Sequence, residues 1–161
     1  MAIAKSKDKS FSEIYIKASS FCAYQERTQQ EVREKLYGEG ITEDEIEEII
    51  SKLITENFIN EERFAKAFAG GKFRMKKWGR IKIKHELSLR GLSDYCIRKG
   101  MEEIEEEDYS KVLTGLMTKK FNEEKESNIY KKRNKIAQYL IRKGYEPELI
   151  WEEIKQKKDP S

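Results

Sequence analysis

Between Gly70 and Gly91 the chain carries eight basic side chains against one acid, Glu86. These are Lys72, Arg74, Lys76, Lys77, Arg80, Lys82, Lys84 and Arg90, with Phe73 and Trp78 among them. A second basic stretch, Lys119 to Lys143, sets nine Lys/Arg against three Glu and includes Lys131, Lys132, Arg133 and Lys135 beside Tyr130. The opposite sign dominates elsewhere: nine acids to one Lys from Glu39 to Glu62, and six acids in the seven positions from Glu102 to Asp108. Segregated cations with aromatic neighbours suit recognition of phosphate or of an acidic protein surface. Solvated faces that pair with one another between repeats are the alternative. The twelve cations named above are the candidate binding residues.

Catalytic chemistry finds little to work with. His85 is the only histidine and sits two residues from both Ile83 and Leu87, off the apolar face of its segment. It reads as a solvent-exposed side chain rather than a catalytic one. No Gly-rich phosphate loop follows a strand and no nucleophile signature appears; Gly70-Gly71 reads as a joint or kink. Cys22 and Cys96 have no metal-ligand spacing and read as reduced thiols. No enzyme activity, metal or cofactor is expected. The opening MAIAKSKDKS lacks the apolar centre of a secretory signal, and no run is long and apolar enough to span a bilayer, so a cytoplasmic protein without membrane contact is expected.

The elements that must position these cations repeat. Val32, Leu36, Gly40 and Ile46 recur 51 residues later as Ile83, Leu87, Gly91 and Ile97, and 53 residues beyond that as Ile136, Leu140, Gly144 and Ile150. Self-similarity at this period marks tandem copies of one supersecondary unit. Apolar residues three and four apart, with only two prolines, make the units helical. The reading is an all-α, elongated tandem array of three-helix repeats in about three copies, the last truncated. Its divisions are 1–26 (tail and leading helix), 27–75, 76–125 and 126–161.

In the first copy a helix runs from about Thr28 to Tyr37 and ends at Gly40 as C-cap. Thr42 and Glu45 form a capping box for the next. The third helix packs through Phe64, Ala67, Phe68 and Phe73. Pro147 starts the second helix of the last copy, where proline is tolerated, and a polar tail follows Ile154. Phe11 to Tyr24 forms a leading helix over the first bundle. Charged residues at 39% with a net charge of only +3 suit a thin folded body.

Two helices joined by a Gly turn also suggest a helix-turn-helix. In that motif the second helix enters the major groove. Here the second helices carry Glu43, Asp44, Glu45, Glu47 and Glu48 in the first copy, and Glu148, Glu152 and Glu153 in the third. Contact with nucleic acid, single- or double-stranded, is therefore expected to be weak, through the backbone and without sequence specificity.

Three stretches carry a resemblance: Arg27-Thr28 with Glu31 and Leu36; Phe58-Ile59-Asn60-Glu61-Glu62-Arg63-Phe64-Ala65; and Trp78-Gly79-Arg80 with Ile83, Glu86-Leu87 and Arg90-Gly91. Together they resemble the RecX family of bacterial recombination regulators, over nearly the whole chain from Phe11 to Ile154. The family often has a pair of aspartates where this chain has Asn60, Glu61 and Glu62, a change that keeps a polar helix start. The resemblance implies tandem three-helix repeats and binding to the RecA filament, with inhibition of its ATPase, strand-exchange and coprotease activities. It supplies no catalytic residue. Separately, a monomer is expected. Arg63 and Trp78 stay open between filament contact and structural duty, Arg63 as a partner for Glu and Trp78 as a plug between repeats.

Overall fold

A computed structural model describes the backbone of residues 2–157 and the side chains from Phe11 onward. Helix follows helix: α1 (Ala2–Tyr24), α2 (Gln29–Tyr37), α3 (Glu43–Thr55), α4 (Glu61–Gly71), a π-helical turn (Lys72–Lys76), α5 (Arg80–Leu89), α6 (Asp94–Met101), α7 (Glu106–Glu123), α8 (Ile129–Lys143) and α9 (Pro147–Gln156). No strand occurs among the described residues. The polar tail expected after Ile154 falls beyond residue 157 for the most part, outside the described residues.

Local chemistry accounts for most of the boundaries. Thr28 Oγ1 accepts from Glu31 N, Asn60 from Arg63 N, Ser93 from Cys96 N, and Asn128 from both Tyr130 N and Lys131 N. Thr42 and Glu45 close the reciprocal capping box at the start of α3. Such caps each contribute about 1 kcal/mol. Pro147 occupies the first turn of α9. The three repeated glycines all take positive φ, +75° at Gly40, +80° at Gly91 and +102° at Gly144, a backbone region that costs a Cβ-bearing residue dearly. Gly144 caps α8 directly. Gly40 does not cap α2: Gly38 does, at φ −83°, and Gly40 makes the left-handed step two residues later.

Buried side chains fall into two groups. Ile14, Ala18 and Cys22 of α1 pack with Val32, Leu36, Ile46, Ile49, Ile50, Leu53 and Ile59, so α1 to α3 close around their own core. The leading helix thus covers the first bundle, as its apolar spacing suggests. A second, continuous core runs from Phe64 to Ile154 and is shared by α4 through α9. The boundary between these two cores falls between Ile59 and Phe64, inside the unit expected at 27–75.

Within the second body α4 lies against α6 at a contact of small residues. A Cβ on Gly100 would fall 2.7 Å from the carbonyl carbon of Ala65, so only glycine allows this approach. That contact turns the Ala65/Ala69 edge of α4 inward and leaves Ala67, expected in the packing face, exposed. Phe73 is buried as expected, but from the π-turn rather than from α4.

Candidate functional site

The π-turn and α5 bring cations and aromatic rings into one strip. Widening of the helix at Lys72–Lys76 ends at Lys77, whose φ of +57° turns the chain back. Phe73 is thereby buried while Arg74, Lys76 and Lys77 point to solvent. The Phe68 and Trp78 rings meet edge to face at 6.2 Å. Arg90 lies over Phe68 at 4.7 Å, Lys72 over Trp78 at 5.0 Å, and Lys82 over Trp78 at 4.5 Å. Each such contact is worth on the order of 0.5–1 kcal/mol at a wet surface, and it holds a long side chain in place without neutralising it.

At one end of the strip like charges converge. Lys143, the last residue of α8, donates from Nζ to the Lys76 carbonyl at 2.9 Å. Burial, and then the positive charges of Lys82 and Lys77, hold its ammonium below the usual lysine range. Lys72, Arg74, Lys76, Lys77, Lys82, Lys84 and Lys143 make no ion pair with any described residue. An anion laid across Lys77, Lys82 and Lys143 would relieve their mutual repulsion, which is the electrostatic condition of a binding surface.

The remaining candidate cations have other partners or other places. Arg80 is a structural clamp. Its guanidinium pairs with Glu106 at 2.5 Å and Glu146 at 2.9 Å and stacks 3.8 Å over Tyr109. The Tyr109 hydroxyl accepts from Arg80 N and donates to Glu146. Burial, and then the hydrogen bond to Glu146, push the Tyr109 phenol well above its ordinary range. Arg90 combines its place over Phe68 with an ion pair to Glu86 at 2.9 Å.

Lys131, Lys132, Arg133 and Lys135 sit in the first two turns of α8, roughly 12–18 Å along the helix from Lys143, so they form a separate group. Lys135 pairs with Glu124 and Glu126, Lys132 lies 5.7 Å over Phe121, and Arg133 turns toward α9. Arg63, left open by the sequence, pairs with Glu26 at 2.6 Å and donates to the Asn57 and Phe58 carbonyls. Trp78 packs on the second core while its ring faces Lys72 and Lys82.

Phe68 and Lys143 were not among the candidates. The repeat itself held a signal for Lys143: it precedes Gly144 as Arg90 precedes Gly91. His85 is exposed, the described residues hold no group of His, Cys, Asp or Glu arranged for a metal ion, and no described helix is long and apolar enough to cross a membrane.

Comparison with known proteins adds a family. Models of the first, second and third three-helix domains of RecX match residues 15–53, 60–101 and 106–154, which correspond to α1–α3, α4–α6 and α7–α9. Regulatory protein RecX of Bacillus cereus (strain B4264) is 30% identical over 148 residues, 90% of this chain and 55% of the relative. Regulatory protein RecX of Clostridium perfringens (strain 13 / Type A) is 34% identical over 122 residues, 74% of this chain and 57% of the relative. The chain thus spans a little over half the length of these curated relatives. The crystal structure of RecX from Lactobacillus salivarius superposes with a TM-score of 0.83 at 30% identity, covering 92% of this chain and 97% of that one. A second crystal structure, of regulatory protein RecX, shares the fold at a TM-score of 0.84 and 21% identity, covering 96% and 77%.

Proposed function

The chain belongs to the RecX family, and on that premise we propose that it restrains the RecA recombinase by binding its nucleoprotein filament, in the groove or at an end, through the strip centred on Trp78. The observation that carries this reading is a set of cations without ion pairs, Lys72 and Lys82 over Trp78 with Lys77 and Lys143 close to Lys82. Filament acids or DNA phosphates would complete their charge. Lys131 and Lys132, set apart along α8, would make a second contact to the same polymer.

The mechanism follows from the shared core of α4 to α9. A filament that turns over ATP must let its protomers rearrange. A body that touches two protomers through sites on one rigid core resists that rearrangement, and ATPase, strand exchange and coprotease action fall together. Cations at the rim of such a contact act on encounter rate and salt dependence as much as on final affinity.

The first test is the ATPase rate of RecA on single-stranded DNA with this protein added well below one per protomer. A marked fall at that ratio means that one molecule disturbs many protomers; an unchanged rate sinks the filament reading. Replacing Lys76 and Lys77 together by Glu should weaken filament binding about tenfold with the far-UV spectrum unaltered. The same cations would also serve a general nucleic-acid-binding module. That second reading is supported if binding to DNA is as tight without RecA as with it.

A further inference from the structure

A pocket of about 240 Å³ lies between α8 and α9, away from the Trp78 strip, lined by Tyr130, Arg133, Asn134, Trp151, Ile154 and Lys155. Ile154, 3% exposed, belongs to the core and forms its apolar base. Tyr130 is 73% exposed and Trp151 37%, and neither ring contacts another aromatic ring among the described residues. The backbone beneath each is held. Asn128 caps the turn that carries Tyr130 by accepting from Tyr130 N and Lys131 N. The helix that carries Trp151 is anchored at its start by Glu146, which is tied to Arg80 and Tyr109. Arg133 lines the pocket, and its Nε is buried without a hydrogen-bond partner.

Two rings lining a slot with an apolar base, beside a guanidinium and an amide, are the parts of a base-stacking site. We propose that this pocket takes one unpaired base of a single-stranded nucleic acid between Tyr130 and Trp151, with Arg133 donating to the base edge or the adjoining phosphate. The lining is cationic, with Arg133 and Lys155, so the aromatic rings rather than charge select this occupant over an acidic peptide: a base offers a π-face to stack and a carboxylate does not. A base is uncharged, and its phosphates can keep to the α8 side, over Lys131 and Lys132. A duplex offers no free base, so the pocket favours single strands independently of the backbone contacts made elsewhere.

The test uses the full chain with no recombinase present, so its outcome is separate from that of the filament reading. Fluorescence anisotropy would compare a labelled oligothymidylate, an abasic strand of the same length and charge, and a duplex. The intact strand should bind about tenfold tighter than the abasic one, and Tyr130→Ala should erase that difference without changing abasic binding. Tyr130 is exposed enough that its removal leaves the core intact; Trp151→Ala serves as a second variant once its far-UV spectrum matches the parent. Equal affinity for intact and abasic strands would overturn the proposal. So would an intact-strand affinity unmoved by Tyr130→Ala, or a Tyr130-dependent capture of a Glu/Leu peptide in place of the strand.

Discussion

The two junctions of this molecule are built from different materials. Where α5 meets the end of α8, backbone meets backbone: Gly79 N donates to the Lys143 carbonyl at 2.7 Å and Ile81 N to the Gly144 carbonyl at 2.9 Å. Tyr145 donates to the Lys77 carbonyl at 2.8 Å, Arg80 clamps Glu106 and Glu146, and one apolar core runs beneath. Where α1–α3 meet α4, the polar contacts run through charged side chains. Arg63 pairs with Glu26, Gln29 N donates to Glu61 at 3.1 Å, and the two cores do not merge. A backbone joint with shared core moves as one piece. A joint of half-exposed charges contributes little energy and tolerates a change of angle. The strip and the α8/α9 pocket both lie on the fused body, which is where a fixed spacing between contacts is needed.

The sharpest way to break this contrast is at Gly79. A Cβ there would stand 2.2 Å from the Gly144 carbonyl carbon, with backbone on both sides and no flexible side chain to yield. Gly79→Ala should cost about 3 kcal/mol, which lowers Tm by about 6–12 °C in a chain of this size. Trp78 and Trp151 both lie in the fused body and none lies in α1–α3, so tryptophan fluorescence reads that loss selectively. A melting point within 2 °C of the parent would show that the joint is looser than its geometry.

Alkaline pH should separate the two regions by an intermediate amount. Burial raises the Tyr109 and Tyr145 phenols, with Glu146 adding to both. A folded-state pKa raised above the unfolded value of about 10 leaves its stability contribution intact below pH 10, and that contribution is lost as pH rises through the folded value. Tyr15, in the first unit, is raised in the same direction by burial and Glu56, but it is only half-buried. The Cys22 thiol in the first core is also raised by burial, so the comparison is made in Cys22→Ala, where from pH 8 to 10.5 the denaturation midpoint read by tryptophan should fall further than the part of the far-UV transition that comes from α1–α3. Parallel falls would remove Tyr109 and Tyr145 as the cause.

The smallest effect is expected at the polar joint. Arg63→Ala removes an ion pair whose partners are 38% and 31% exposed, worth about 0.5 kcal/mol, and two donations to the Asn57 and Phe58 carbonyls, all outside the tryptophan-bearing core, so the tryptophan-detected Tm should hardly move. Small-angle scattering should instead show a broader distribution of dimensions. A large stability loss with unchanged scattering would mean that the first junction is as rigid as the second.

Much of the secondary structure was legible, because its causes are local. Thr42 with Glu45, Pro147 and the glycines at 40, 91 and 144 act over two to four residues, and their spacing is visible in the chain. The candidate surface was legible as a charge pattern but not as a site. Arg80 and Lys82 look alike in sequence; one is consumed by Glu106 and Glu146, and the other stays over Trp78. Ala67 and Ala65 are equally plausible on a helical wheel, and the close approach of Gly100 chose between them.

By itself, then, the sequence determined the helices, the fifty-residue period, the left-handed turns and the segregation of charge, all of which rest on neighbours within a turn or on simple composition. Tertiary structure alone decided where one core ends and the next begins, which cations keep their charge free, and that Gly79 and Gly144, 65 residues apart, would touch. Those outcomes depend on which surfaces exclude water together. A repeat of fixed period leaves that choice open, because the same helices can be grouped in more than one phase until packing selects one.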